Sequence, residues 1–232
     1  MSRSRSSASP LKRERYHHGD LRRSLVQAGR EVLAERGVDA LSLREVARRA
    51  KVSQAAPYHH FANKAELVSA IAQQGFGDFA GALRAGAETM GDGTLPRLAG
   101  MGLAFVRFAV ANPELFRLLF RPELRGGTRA GAAAEGMEPA GSAAYQVFLD
   151  AVTAAVEEGS VQGSVEDVAV SALSIVHGLS NLLVDGPVDL RQRPPDTLAR
   201  VVISALGAGI ARQPPSRSPR FARSPTGGGQ AG

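Results

Sequence analysis

SLREVARRAKVSQAAPYHHF, residues 42–61, reads as two short helices joined by a tight turn. Ser42 and Glu45 form a Ser-x-x-Glu capping box, in which the serine oxygen satisfies an orphan backbone N–H at the helix start. Leu43, Val46, Ala47 and Ala50 then make the inward face. Ser53 is a good N-cap for the next helix, which carries Gln54, Ala55, Ala56 and His59 outward. Two helices across a tight turn, the second polar on its outer side, describe a helix-turn-helix, which lays one helix in the DNA major groove.

Working outward, Asn63 and Glu66 form a second capping box, and Leu67, Ile71 and Phe76 continue that helix inward. Upstream, Leu21, Leu25, Ala28 and Val32 form one apolar stripe on a helix from about Asp20, its N-cap, to Arg36, with Gly37 as the stop. Downstream the periodicity predicts helices near 95–111, 113–121, 139–158, 165–184 and 196–211, punctuated by Pro113, Gly163 with Ser164, and Pro194 with Pro195. No alternating β-branched run argues for a strand. The expected fold is all-α: a three-helix helix-turn-helix domain, then a longer helical domain. The expected divisions are a disordered basic arm (1–18), the DNA-binding domain (19–80), the second domain (81–212) and a disordered tail (213–232). The 122–138 stretch reads as a loop.

Charge agrees with the motif. Residues 1–68 hold 14 Lys or Arg against 7 Asp or Glu, whereas the remaining 164 hold 14 against 15. A basic third on a near-neutral remainder is the footprint of a polyanion binder. The absence of cysteine excludes disulfides and thiolate metal sites and fits a reducing cytoplasm. No uninterrupted apolar run approaches about 20 residues, so no membrane partner is expected. The N-terminus lacks the apolar core of a secretory signal. Gly-x-Ser-x-Gly, His-Glu-x-x-His and a cysteine nucleophile are all missing, so no catalytic residues, metal or cofactor are expected.

Residues 20–76 resemble the DNA-binding domain of the tetracycline-repressor (TetR) family of bacterial transcription regulators. Ser42, Arg44, Val46 and Ala47, then Tyr58, Phe61 and Lys64, carry the resemblance. It implies a cytoplasmic, nucleoid-associated homodimer on a near-palindromic double-stranded operator, acting as a repressor released by a small hydrophobic effector. It assigns Ser42, Tyr58 and Lys64 to phosphates, with Val52 and Phe61 in the three-helix core. Ser53, Gln54, Ala55, Ala56 and His59 then face the groove: Gln54 can pair with adenine in bidentate fashion and Ala56 can meet a thymine methyl. Arg44, Arg48 and Lys51 share one face of the second helix and either line the DNA backbone or form an ordinary solvated face; the motif favours a backbone contact for Arg44 and leaves Arg48 open. Tyr58 as plain core and Lys64 as a solvated charge are the competing readings.

Two residues depart from the family pattern. Lys51 stands in the turn where glycine is usual, at a strain of roughly 1 kcal/mol. Pro57 stands inside the short recognition helix where an apolar residue is usual, so a slightly irregular helix is expected.

In the second domain, IVHGLSNLL (175–183) resembles a TetR subclass with a Trp-His-Gly triplet, Val176 replacing the tryptophan. Val168, Ala172, Ile175, Leu179 and Leu182 repeat in a heptad-like stripe, and Leu198, Val202, Ala205 and Gly209 line the last helix. In the family such helices pair across a four-helix dimer interface; packing within one chain is the alternative. Resemblance also places an apolar ligand pocket at Phe105, Phe108, Phe116, Phe120, Tyr145, Phe148 and His177, where an ordinary core is the competing reading.

Overall fold

A computed structural model describes residues 10–121, 139–186 and 193–210, with the backbone alone for 10–20 and 139–140. The described residues form eight α-helices: α1 (Pro10–Arg36), α2 (Leu43–Arg49), α3 (Lys64–Thr89), α4 (Thr94–Ala111), α5 (Pro113–Leu119), α6 (Pro139–Glu157), α7 (Val165–Asp185) and α8 (Pro195–Ile210). Two short 3₁₀ helices, Val38–Ala40 and Ala56–His59, lie between α1 and α3.

Side-chain caps set several of these starts. Ser42, Asn63 and Ser164 each accept from the backbone N–H three residues on, at 3.0–3.1 Å. Gly37 ends α1 in the left-handed region at φ 73°, its N–H reaching the Leu33 carbonyl at 2.8 Å. Pro113 opens α5, where its missing N–H is no loss.

Two boundaries differ from the sequence expectation. The backbone of α1 begins at Pro10, so residues 10–18, expected in a disordered arm, are helical, and Asp20 lies inside the helix instead of capping it. Proline is pre-organised for a first helical position, and the Lys-Arg-Glu-Arg run that follows consists of good helix formers. Residues 1–9, the 122–138 loop and the 213–232 tail lie outside the described residues. The boundary expected at 80/81 falls within α3, which runs unbroken to Thr89 because Phe79, Ala80 and Leu83 continue its buried face.

α3 belongs to both halves. One continuous apolar cluster includes Leu25 and Val32 of α1, Val46 of α2, Leu67 to Ala87 of α3, and residues as far as Leu198 and Ala199 of α8. α4 packs against α3, α5, α6, α7 and α8. By length and composition α4 and α7 could each cross a bilayer, with mean hydropathy 1.2 and 1.5, a property that counting uninterrupted apolar runs had missed. For α4 the packing accounts for that apolarity. α7 is different: 28% of its apolar window is buried within the chain.

α3 and α4 cross backbone to backbone. A Cβ at Gly86 would stand 2.6 Å from the Gly100 carbonyl oxygen, and one at Gly100 would stand 2.1 Å from that of Gly86. Gly77, on the exposed side of α3, has nothing within 4 Å. Gly86→Ala should therefore destabilise by about 1–3 kcal/mol, the usual cost of overpacking. Gly77→Ala should stabilise by about 0.5–1 kcal/mol by removing helix-interior glycine entropy. Denaturant melts of both variants check the pair; equal effects would contradict the backbone contact.

Candidate DNA-binding face

The turn after α2 is built by hydrogen bonds that close the helix end. Val52 N–H donates to the Ala47 carbonyl at 3.0 Å and Lys51 N–H to that of Arg48 at 3.3 Å. This is a Schellman closure, which requires a left-handed residue after the helix cap. Lys51 supplies it at φ 57°. Val52 then packs, half-buried, on the core below.

The recognition segment that follows is a 3₁₀ helix, Ala56–His59, rather than an α-helix opened by Ser53. Pro57 explains the change of register. In an α-helix the residue 57 N–H would bond the Ser53 carbonyl, and proline has none. Ala56 N–H takes that carbonyl instead, at 3.1 Å, and Tyr58 N–H takes that of Ala55 at 3.1 Å, an i→i−3 pattern. Ser53 thus contributes its carbonyl and not a side-chain cap. Pro57 is itself buried, and Phe61 beneath it is 1% exposed. The segment is irregular, as its proline led one to expect, but shorter and tighter.

This anchoring leaves Ser53, Gln54, Ala55, Tyr58 and His59 exposed, with Ala56 half-buried. Tyr58 is 54% exposed, which removes the plain-core reading. Ser42 uses its oxygen to cap α2. Lys64 opens α3 beside Asn63, its Nζ 3.4 Å from the Asp39 carbonyl. Glu66 closes that start by accepting from Ala62 N–H at 2.6 Å. Arg22 of α1, which the sequence reading did not single out, stands 5.2 Å over the Phe61 ring, a cation–π contact that no motif announces.

Ion pairs sort the basic residues. Glu45 accepts from Arg48 Nε at 3.0 Å and from Arg36 at 3.1 Å. Arg49 donates to Glu35 at 2.7 Å and lies 3.6 Å from Glu31, clamping α2 to α1. Arg30 pairs with Asp78 at 2.6 Å. Arg44 and Lys51 are exposed and enter no ion pair among the described residues. Arg48, open to two readings from sequence, is thus engaged within the fold.

In the second domain, Phe79 packs on Phe105, Phe108 and Phe120, and Phe116 and His177 each pack on Phe105 and Phe120. Phe79 meets Phe105 edge to face at 5.1 Å, and the half-buried His177 ring lies 4.8 Å from Phe120. Tyr145 and Phe148 pair with each other at 6.1 Å on α6, outside that set of ring contacts. Phe79 escaped the sequence reading because it sits on a helix assigned to the first domain.

Two family models match this arrangement. The model for bacterial regulatory proteins of the tetR family covers residues 25–71, and the tetracyclin repressor-like C-terminal domain covers 98–206. Together they span about two thirds of the chain. The chain belongs to the tetR family.

The tetR-family helix-turn-helix model includes the turn at Lys51 and the recognition segment. A solved structure of a Rhodococcus sp. RHA1 protein of unknown function is similar at 33% identity and TM-score 0.72, over 85% of this chain and 98% of that one. A helix-turn-helix-type transcriptional regulator of Mycobacterium bovis is 29% identical over 65% of this chain, and the match spans 63% of that relative. The transcriptional activator FasR of Mycolicibacterium smegmatis is 33% identical over 43% of this chain and 45% of its own length.

The Glu45 fork has a pH consequence. Hydrogen bonding from Arg48, its charge and that of Arg36 hold the Glu45 carboxyl below the usual carboxylate range. A depressed folded value contributes stability that is present at neutral pH and lost as pH falls through that value. Glu45→Gln should lower the thermal midpoint slightly at neutral pH, and the gap to wild type should close in acid. Midpoints measured at descending pH test this; a gap that widens in acid contradicts the fork.

Proposed function

We propose that this chain is a DNA-binding transcriptional regulator that represses by occupying a near-palindromic operator as a homodimer and is released by a small hydrophobic ligand. The carrying observation is the exposed run Ser53, Gln54, Ala55, Tyr58 and His59, held on the buried Pro57 and Phe61. Gln54 offers a bidentate amide to a base edge, while Ser42, Arg44, Tyr58 and Lys64 flank it as backbone contacts. Action on DNA places the protein at the nucleoid in the cytoplasm.

Dimerisation through α7 and α8 is supported by what they leave uncovered. α7 exposes Val170, Ser174, Gly178 and Leu182, and α8 exposes Val201, Ser204, Ala205 and Ala208. Val170 is 58% and Val201 52% exposed, on helices whose opposite sides bury Val168, Val176, Leu179, Leu198 and Ala199. The exposed face is not the heptad read in sequence as a dimer stripe: Val168 and Leu179 are buried within the chain and Ala172 and Ile175 half-buried, and of that stripe Leu182 alone is exposed. A second copy is the partner of matching shape, because an isologous contact pairs one small-residue face with itself. In the Trp-His-Gly reading, Val176 fills the tryptophan's place in the core.

The ligand is supported by His177 and Phe120, both half-buried against the ring cluster. The rings already pack on one another, which favours a second reading: a DNA-binding architectural or partner-binding dimer without an effector. A thermal-shift screen of small hydrophobic compounds separates the two. A reporter gene behind the selected operator decides between repression and activation, which FasR's name makes a real contrast.

Sedimentation at micromolar concentration should show dimers, and Val170→Lys with Val201→Lys should give folded monomers. Only monomers in the wild type, with and without DNA, would refute the dimer. In DNA binding, Gln54→Ala should cost about 1–3 kcal/mol at one base position, whereas Lys64→Ala should weaken all sequences alike and lower the salt slope by about one. Identical, sequence-independent losses would remove Gln54 from base readout.

A further inference from the structure

We propose that Lys51 is a phosphate-binding residue of the DNA face, and that its charge is the reason the turn tolerates a strained non-glycine residue. The inference rests on the DNA-binding reading above.

Lys51 is the one non-glycine residue with positive φ among the described residues. The Schellman closure imposes that conformation whatever side chain is present, because the Lys51 and Val52 N–H groups must reach the Arg48 and Ala47 carbonyls. Glycine adopts it without cost and asparagine with little, whereas a lysine Cβ crowds the backbone. The lysine side chain returns nothing to the fold: it is exposed and makes no hydrogen bond or ion pair among the described residues. Strain kept without an internal compensation points to a role outside the folded chain.

Its surroundings specify the role. Arg36, Arg48 and Arg49, on α1 and α2, are engaged by Glu45, Glu35 and Glu31. Lys51 is left as an unengaged cation two residues before Ser53, where the exposed recognition run begins. A lysine ammonium is a point charge on a flexible stem, suited to a phosphate oxygen whose exact position varies with DNA shape. Such a contact fixes register and carries no sequence information.

The test uses the full chain and a duplex selected from a random-sequence pool by the wild-type protein. Lys51→Gly, Lys51→Asn and Lys51→Arg are compared in thermal unfolding without DNA and in binding between about 0.05 and 0.2 M salt. Lys51→Gly and Lys51→Asn should raise Tm by about 2–4 °C as strain is relieved. They should also weaken binding about five- to tenfold per protomer near 0.1 M salt and make the salt slope shallower by about one per protomer. The loss should be equal on a random-sequence duplex. Lys51→Arg should keep wild-type affinity, slope and Tm. Glycine or asparagine variants that bind with unchanged affinity and slope overturn the proposal, as does a Lys51→Gly protein no more stable than wild type. If the wild type selects no duplex and shows no salt-dependent binding, the DNA-binding reading itself falls, a result distinct from either.

Discussion

The arrangement depends on α3 burying one face along its whole length. Leu67 and Ile71 are 0% exposed and lie against Gly29 of α1, and Phe79 and Leu83, further along the same helix, are 5% and 4% exposed in the second half. Each such side chain contributes about 1.5–3 kcal/mol relative to exposure. No polar layer separates the halves, so the cluster is continuous from α1 to α8. Two notches let neighbours approach this helix. Leu115 and Leu119 of α5 lie against Gly75, where a Cβ would stand 2.8 Å from Leu115, and α4 rests on Gly86. α5 also carries Arg117, which donates to Asp185 at 2.7 Å and to the Val184 carbonyl at the end of α7. The DNA-facing and outward-facing surfaces are therefore joined through packed contacts rather than through a linker.

Within that frame the recognition segment is stiff despite its brevity. Four residues of 3₁₀ helix hold few backbone bonds, so local propensity does not define the segment. It is held from both ends instead: the Schellman closure fixes the chain before it, and the Asn63 cap with Glu66 fixes the chain after it. Pro57 and Phe61 press the middle onto the core. A side chain such as Gln54 is thus positioned by its neighbours' burial, as the base readout proposed for it would require, since a bidentate pair tolerates little displacement.

Much of this was legible in the sequence for identifiable reasons. Ser42 and Asn63 were readable as caps because capping is local chemistry over three residues, whereas Ser164 was read only as a break between helices. The five downstream helices agree with their expected spans to within two residues at each end because proline and glycine punctuate them. Lys51 at positive φ was readable from its place in the turn. The start of α1 was hidden because a polar, charged run resembles a disordered arm yet also suits a helix. The register at Ser53 depended on which carbonyl lost its donor to Pro57. Phe79 was hidden because it falls within the span expected for the first domain, while its ring packs on those of the second. The ion pairs of Glu45 and Glu35 link α1 to α2 and have no signature in spacing.

Those ion pairs change what the basic third of the chain means. Counted as a sum, its excess of positive charge suggests a diffuse attraction to any polyanion. In the fold, Arg30, Arg36, Arg48 and Arg49 each meet a carboxylate within 3.1 Å. A paired guanidinium still adds to the far field, but its partner cancels most of it at close range, and salt screens the remainder within about 10 Å. In the proposed reading, close-range attraction falls to cations without such partners: Arg44, Lys51 and Lys64, which bracket the recognition run in sequence, are exposed and meet no carboxylate among the described residues. In the DNA-binding reading proposed above, attraction through a few fixed charges would orient the protein as well as draw it in, because phosphate contacts fix register while base contacts specify sequence.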